Sequence, residues 1–259
     1  MIANYHTHTW RCRHASGTER EYVEAAIAGG LKILGFSDHT PMPYDGDYVS
    51  GSKMTMAQLE GYVDTVLGLK KEYRNDIEIH LGLEVEYYPK YFQKLLAYVA
   101  QFPVEYFLLG QHFLGDEIGD AFSGAPTDSE ELLARYCSQT AEALDTGCFT
   151  YFAHPDLFRF TGDPAVYERH IRPLCEHAKK LNVPLEINFL GIWDQRHYPN
   201  PAFWKIAGET GNKAVFGSDA HTPDKVWNPP AIETAQKLAD KNGLRILETV
   251  AFRPVTSFL

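Results

Sequence analysis

Cysteine is scarce in this 259-residue chain, and the four present, Cys12, Cys137, Cys148 and Cys175, share no CxxC spacing. That excludes a zinc-finger frame and reads as reduced thiols rather than a disulfide scaffold. Long apolar runs are also lacking. The longest, such as residues 106–110, cover a handful of positions, far short of a membrane-spanning helix. Positive charge is in deficit, with 24 Lys and Arg against 34 Asp and Glu for a net −10. A surface that coats nucleic acid is therefore not expected. The opening Met-Ile-Ala-Asn-Tyr-His has neither the basic nor the apolar region of a signal peptide, so a cytoplasmic protein is expected. No low-complexity linker, internal repeat or break in composition divides residues 1–259, which are read as one domain.

Regular alternation is abundant. Short β-rich runs at 2–5, 32–37, 77–85, 106–111, 149–153, 185–188 and 214–217 alternate with amphipathic helical patterns. Leu59, Tyr62, Val63 and Val66 recur at helical offsets. So do Leu132, Leu133, Tyr136, Cys137, Thr140, Ala141 and Leu144, and likewise Val166, His170, Ile171, Leu174, Cys175, Ala178 and Leu181. Thr18 with Glu21, and Thr55 with Gln58, form capping-box signatures at helix starts. Seven strand-then-helix units predict a parallel sheet, closed or nearly closed into a barrel at this length, with 244–250 as an eighth, irregular strand. An open doubly wound sheet is the alternative, but no glycine-rich phosphate fingerprint follows the first strand. The long segments 40–54, 114–127 and 190–200 follow strands, where a parallel barrel builds its active face.

Histidine is the informative residue: there are eleven, and seven stand near predicted strand ends. The first strand leads into His6-Thr-His8, with His14 in the next loop. The second ends in Asp38-His39, the third carries Glu84, and the fourth leads to His112. The fifth ends in His154-Pro-Asp156, the sixth in Asn188, and the seventh in Asp219-Ala-His221. Alternation sends both histidines of His6-x-His8 to one side of a strand. Imidazoles mixed with carboxylates suit zinc, iron or manganese. His80, His170 and His177 lie away from strand ends and read as structural. Asp116, Glu117 and Asp120 could meet a cationic amine, although a solvated loop is the simpler expectation.

The ordered series His6-x-His8, Ser-Asp38-His39, Gly-x-Glu84, Gly-Gln-His112, Ala-His154-Pro-Asp and Gly-Ser-Asp219-Ala-His221 resembles the polymerase and histidinol phosphatase (PHP) superfamily. Cys12-x-His14-Ala, the His154-Pro-Asp-Leu-Phe run and Glu-Ile-Asn188 resemble its histidinol-phosphate phosphatase branch. The resemblance implies an α/β fold, a distorted (β/α)7 TIM-like barrel, with a trinuclear metal centre. Carried over by motif, one metal takes His6, His8, Glu84 and Asp219, a second shares Glu84 with His112 and His154, and a third takes His14, His39 and His221. A carboxylate can bridge two cations at roughly 3.5–4 Å, where a shared hydroxide is nucleophilic at neutral pH. Asp38 is expected behind a ligating histidine, orienting it through the other ring nitrogen. Arg159 and Arg196 are the phosphate-binding candidates, with Asn188 beside them. The branch often places an arginine directly after the glycine of the Glu-Ile-Asn segment. Here Ile192-Trp193 follows Gly191, so either Arg196 substitutes or the phosphate pocket differs.

The implied activity is hydrolysis of L-histidinol phosphate to L-histidinol and phosphate in histidine biosynthesis, on a small-molecule substrate and without a membrane. Asp219, Asp38 and His197 form the pool for the general acid. Nucleotide or other small-molecule phosphoester hydrolysis is the rival within enzymes. Without a polymerase body or basic groove, an exonuclease is not expected. A lysine bridge between metals would point to an amidohydrolase, and Glu84 fits the bridge better. A catalytically silent metal-binding module is the rival outside enzymes.

Overall fold

The computed structural model describes residues 1–255. Eight parallel strands run in sequence order: β1 (Ala3–Asn4), β2 (Ile33–Phe36), β3 (Glu78–Val85), β4 (Tyr106–Leu109), β5 (Phe149–Phe152), β6 (Leu185–Asn188), β7 (Lys213–Gly217) and β8 (Arg245–Ile246). The helices are α1 (Glu19–Ala28), α2 (Leu59–Glu72), α3 (Pro89–Val99), α4 (Glu130–Asp145), α5 (Pro164–Lys180), α6 (Phe189–Trp193), α7 (Pro201–Thr210) and α8 (Pro229–Lys241). The seven expected strands are present, and the eighth is trimmed to two residues paired with the start of β7.

The sheet ends differ. Toward the carboxyl ends, a parallel bridge joins Thr7 to Ala220, and His8 N–H donates to the Ala220 carbonyl (3.0 Å). The chain after β1 thus meets the chain after β7, and seven strands surround the face where the polar residues gather. The Asn4 side chain ties this seam, donating to Ser218 Oγ and accepting from its backbone N–H. At the opposite end β8 lies beyond β7. Seven strands at one end and an eighth at the other make the distortion of the barrel.

Strand alternation sorts the core into two clusters. Phe107 and Leu109 of β4 face the helices, while Tyr106 and Leu108 join Tyr5, Tyr151 and Val215 in a smaller inner cluster. Tyr106 is fully buried, so its hydroxyl needs a partner, and it donates to the Tyr5 carbonyl (2.7 Å). The expected helical faces are the buried ones: Tyr62, Val63 and Val66 in α2, Leu133, Tyr136 and Leu144 in α4, Ile171, Leu174 and Cys175 in α5. Burial of one such large apolar side chain contributes about 1.5–3 kcal/mol. The Thr18 box closes on Glu21 as expected, and Thr55 N–H donates to Gln58 Oε1 (2.8 Å). All four cysteines are free thiols. No helix among the described residues is long and apolar enough to cross a membrane.

Candidate metal centre

Each of the first seven strands delivers a polar residue to the same end. His6 and His8 follow β1 with ring centroids 5.1 Å apart, and alternation gives both rings to the barrel mouth. Glu84 of β3 lies at the centre. Its Oε1 is 2.8 Å from His154 Nε2, 3.6 Å from His6 Nε2 and 3.9 Å from His112 Nε2. Its Oε2 is 2.9 Å from His39 Nδ1 and 3.6 Å from His8 Nε2. One carboxylate thus turns an oxygen to each of two groups of imidazoles, the arrangement a bridging ligand needs. Asp219 Oδ1 stands 2.9 Å from His8 Nε2 and 3.5 Å from His6 Nε2.

The glycines of two motifs make this packing feasible. A Cβ on Gly110, of Gly-Gln-His112, would lie 1.9 Å from Glu84 Oε1. A Cβ on Gly217, of Gly-Ser-Asp219, would lie 1.7 Å from Glu186 Oε1. Only a hydrogen fits either place. The backbone is strained beside them as well, since His154 (φ 30°) and Asp219 (φ 50°) are non-glycine residues at positive φ. Such strain persists only where surrounding structure enforces it, and it concentrates at functional sites.

A second set of acids holds the rings from behind. His6 Nδ1 donates to Glu186 Oε1 (2.8 Å), and His112 Nδ1 to Glu86 Oε1 (2.8 Å). His8 Nδ1 faces Asp38 Oδ1 (3.4 Å), and Asp38 is held in turn by the Thr9 hydroxyl. The position expected for Asp38, behind a histidine, is the one observed. His14 and His221 use backbone carbonyls instead, those of Cys12 (2.8 Å) and Asp219 (3.0 Å). In these five Nδ1 is engaged and Nε2 is turned toward the mouth, which fixes the tautomer a metal ligand requires, whereas His39 turns Nδ1 inward to Glu84 and His154 Nδ1 has no hydrogen-bond partner.

Several inward atoms find no well-placed protein partner. His6 Nε2, His8 Nε2 and Glu84 Oε2 are buried without a well-aligned hydrogen bond, although Asp219 Oδ1 lies 2.9 Å from His8 Nε2 and His39 Nδ1 lies 2.9 Å from Glu84 Oε2. The Nε2 atoms of His14 and His221 stand 2.9 Å apart, so two lone pairs meet unless something positive lies between them. Buried orphan acceptors are costly in a native protein, and divalent cations satisfy this donor set. Five groups have ligand atoms within 4.8 Å of one another, among them His6-His8-Asp219, His6-Glu84-His154, His8-His39-Glu84 and His14-His39-His221. The fifth adds Cys12 to His8 and His221. His112 belongs to none of these, so around Glu84 and His154 the third tight partner is His6.

Charge divides the cluster. Burial opposes a proton on His6, but Glu186, Asp219 and Glu84 outweigh it and raise its pKa well above the usual range. For His8 burial is likewise outweighed, by hydrogen bonds to Asp219 and Asp38, and its pKa rises to about 9. Burial and the neighbouring charge of His8 instead lower His14, His39 and, to about 3, His221. Glu84 and Asp219 are held well below the carboxylate range, because the surrounding histidines outweigh burial. Cations entering the inner positions therefore displace protons, while the outer imidazoles are already neutral.

A cavity of about 590 Å³ opens over the cluster, its wall including Ser52, Lys53, Phe113, Trp193, Arg196 and Lys225. Arg196 reaches it while paired with Asp194 (3.0 Å) and donating to the Tyr198 hydroxyl (3.2 Å). Other expected contacts lie elsewhere. Arg159 is exposed and lies outside the cavity lining. Asn188 is buried, donating to Glu186 (2.9 Å) and Asp219 (3.1 Å). His197 bonds the Leu157 carbonyl (2.7 Å) through Nε2. Glu117 is neither solvated nor open to an amine, because Lys53, Ser50 and Tyr44 all bond it. Glu86, Glu186, Lys53 and Lys225 were not singled out from the sequence. The period of two in Glu84-x-Glu86 and Glu186-x-Asn188 carried the signal for the first pair.

The sequence profile of the PHP domain matches residues 4–189. The chain belongs to the PHP domain family. A probable histidinol-phosphatase of Deinococcus radiodurans is 31% identical over 97% of this PHP chain and 96% of its own length. A histidinol-phosphatase of Bacillus subtilis is 30% identical over 65% of this chain and 57% of its own. The fold is shared with histidinol phosphate phosphatase of Lactococcus lactis, solved with zinc, L-histidinol and phosphate. Its TM-score is 0.76 at 21% identity, covering 96% of this chain and 97% of that one.

Proposed function

We propose that this PHP protein is a metal-dependent phosphomonoesterase that cleaves L-histidinol phosphate with water to L-histidinol and phosphate. The observation that carries the reading is the convergence of imidazole nitrogens and the Glu84 and Asp219 carboxylates, several of their buried atoms without a well-aligned hydrogen bond, beneath a cavity whose wall bears Arg196. The names of the Deinococcus and Bacillus relatives support the same substrate. A small-molecule substrate, a cytoplasmic location and one domain over residues 1–259 go with this reading.

His6, His8, Glu84 and Asp219 would hold one cation, Glu84, His112 and His154 a second, and His14, His39 and His221 a third. Zinc, manganese and iron all suit these donors. When bound, such ions supply positive charge for the phosphate oxygens and make water acidic enough to attack near neutral pH. The chain's own work is orientation. Glu186, Asp38 and Glu86 fix the rings of His6, His8 and His112. The planar fork of Arg196 can bind two phosphate oxygens and stabilise the charge that builds on them. Of Asp219, Asp38 and His197, only Asp219 lines the cavity. With its carboxyl ionised, Asp219 is suited to accept a proton rather than donate one.

The test is a panel of phosphomonoesters, with histidinol phosphate and nucleoside monophosphates, on protein reconstituted with zinc, manganese or iron. Histidinol phosphate should give the highest kcat/KM. Preference for a nucleoside monophosphate would move the reading to nucleotide hydrolysis, and no turnover at full metal loading would leave a binding module. Metal analysis at saturation should give three ions per chain. One ion, with His14, His39 and His221 free, would overturn the trinuclear assignment.

A further inference from the structure

Lys53 is a buried lysine, 3% exposed, on the long segment between β2 and α2. Burying an ammonium is unfavourable unless it is paired and hydrogen-bonded. Here two carboxylates share it: Glu86 Oε2 at 2.9 Å and Glu117 Oε2 at 2.8 Å. The two acids lead in different directions. The other oxygen of Glu86 accepts from both the backbone N–H (3.2 Å) and the Nδ1 (2.8 Å) of His112. Glu117 is gripped in addition by Ser50 Oγ (2.7 Å) and the Tyr44 hydroxyl (2.8 Å). Glu117 sits in the segment between Phe113 and Phe122, two residues joined by an antiparallel bridge, and both rings line the cavity. A continuous chain of charge-assisted contacts thus runs from Glu117, in the segment that carries the two rings, through one ammonium to the back of His112.

We propose that Lys53 is a positioning residue that ties the wall built by residues 113–122 to His112, so that substrate seating and metal binding share one support. The wall half rests on the phosphatase reading, and the metal half does not. A carboxylate behind a ligating histidine is worth about 10- to 100-fold in metal affinity. The second oxygen of Glu86 is held by Lys53 and by the Tyr88 hydroxyl, and of these two only Lys53 supplies the charge that keeps Glu86 ionised and aligned behind His112. The two acids then separate in their effects, because Glu117 belongs to the segment that carries Phe113 and Phe122 and Glu86 bonds the histidine.

Stepwise titration of the metal-free protein with zinc chloride, beside steady-state kinetics, tests this. Lys53→Met should weaken one of the zinc-binding steps about 10- to 100-fold and also raise KM. Glu117→Gln should raise KM while leaving every zinc-binding step at its wild-type affinity. Lys53→Arg, which keeps the charge, should restore most of the zinc affinity. Should Lys53→Met fail to fold, Lys53→Met with Glu117→Gln removes one charge of each sign and carries the same zinc measurement. Folded Lys53→Met, alone or with Glu117→Gln, with wild-type zinc affinity overturns the proposal, as does Glu117→Gln with an unchanged KM. If histidinol phosphate is not turned over at all, the phosphatase reading fails alone. The zinc steps then still decide for or against the Lys53 link to His112.

Discussion

The two ends of the barrel use the same residue types and reach opposite outcomes. Near the start of β3, His80 has both ring nitrogens paired, Nδ1 with Glu105 and Nε2 with Glu78, each at 3.0 Å. Lys70 adds a cation to Glu105 (2.9 Å), and Phe252 packs edge-on against the His80 ring. At the other end His6 has one nitrogen on Glu186 and the other buried without a hydrogen bond. A histidine satisfied on both sides is a structural tie. A histidine satisfied on one side, among others like it, is a donor held in place for a ligand that the chain does not itself supply.

The sharpest way to break this contrast is at Glu84. Glu84→Gln keeps the shape but removes the charge facing five histidines, and kcat/KM should fall by about 10³-fold or more. Metal analysis should show loss from more than one position. Full metal retention with lost activity would make Glu84 an acid or base instead of a ligand.

Arg196→Ala tests the wall above the cluster. A charge-assisted contact of about 1.5–3 kcal/mol corresponds to roughly 10- to 150-fold in kcat/KM. Metal content should not change, since arginine ligates nothing, and lysine should recover only part of the loss. Wild-type kinetics would make Arg196 a loop residue tied to Asp194. Glu186→Gln converts the support of His6 into a weaker one, and zinc affinity should drop about 10- to 100-fold. Unchanged zinc binding would mean that His6 needs no acid behind it, and the contrast with His80 would lose its basis.

The smallest effect belongs to the satisfied end. Burial opposes the charge on Glu105, but His80, the Leu81 N–H and Lys70 outweigh it and hold the pKa at about 2, against 4.5 when unperturbed. A folded pKa below the unfolded one gives stability that is complete above about 4.5 and lost as pH falls toward 2. With screening of a partly exposed group, this is about 1–2 kcal/mol. Glu105→Gln should flatten the acid limb of a stability–pH curve and leave neutral-pH activity intact. An unaltered acid limb, or loss of activity, would show that the two ends are not independent.

Much of the site was legible because strand ends in a parallel barrel converge. Asp38 was expected behind a ligating histidine, and the histidine it faces is His8 rather than its neighbour His39. Contacts set by loops were not legible. Arg159 follows the His154-Pro-Asp run yet is exposed, because its backbone pairs with Ser123 and Thr127 and leaves the side chain outside the cavity. His197 is drawn to the Leu157 carbonyl. Glu117, in a loop rich in glycine and acid, gave no sign that a lysine 64 residues earlier would bury it.

The sequence by itself determined the alternation of strand and helix, the faces each helix buries, and the strand ends that carry imidazole and carboxylate. Those follow from periodicity and from the side to which a strand sends every second residue. Only the tertiary structure decided how the barrel closes through Thr7 and Ala220, with β8 left at the far end. It also decided which acid supports which histidine, and that Lys53 joins Glu86 to Glu117. These pairings span tens to hundreds of residues and depend on distances of a few ångströms. Local pattern has no reach over such separations, and only the packed barrel brings the partners together.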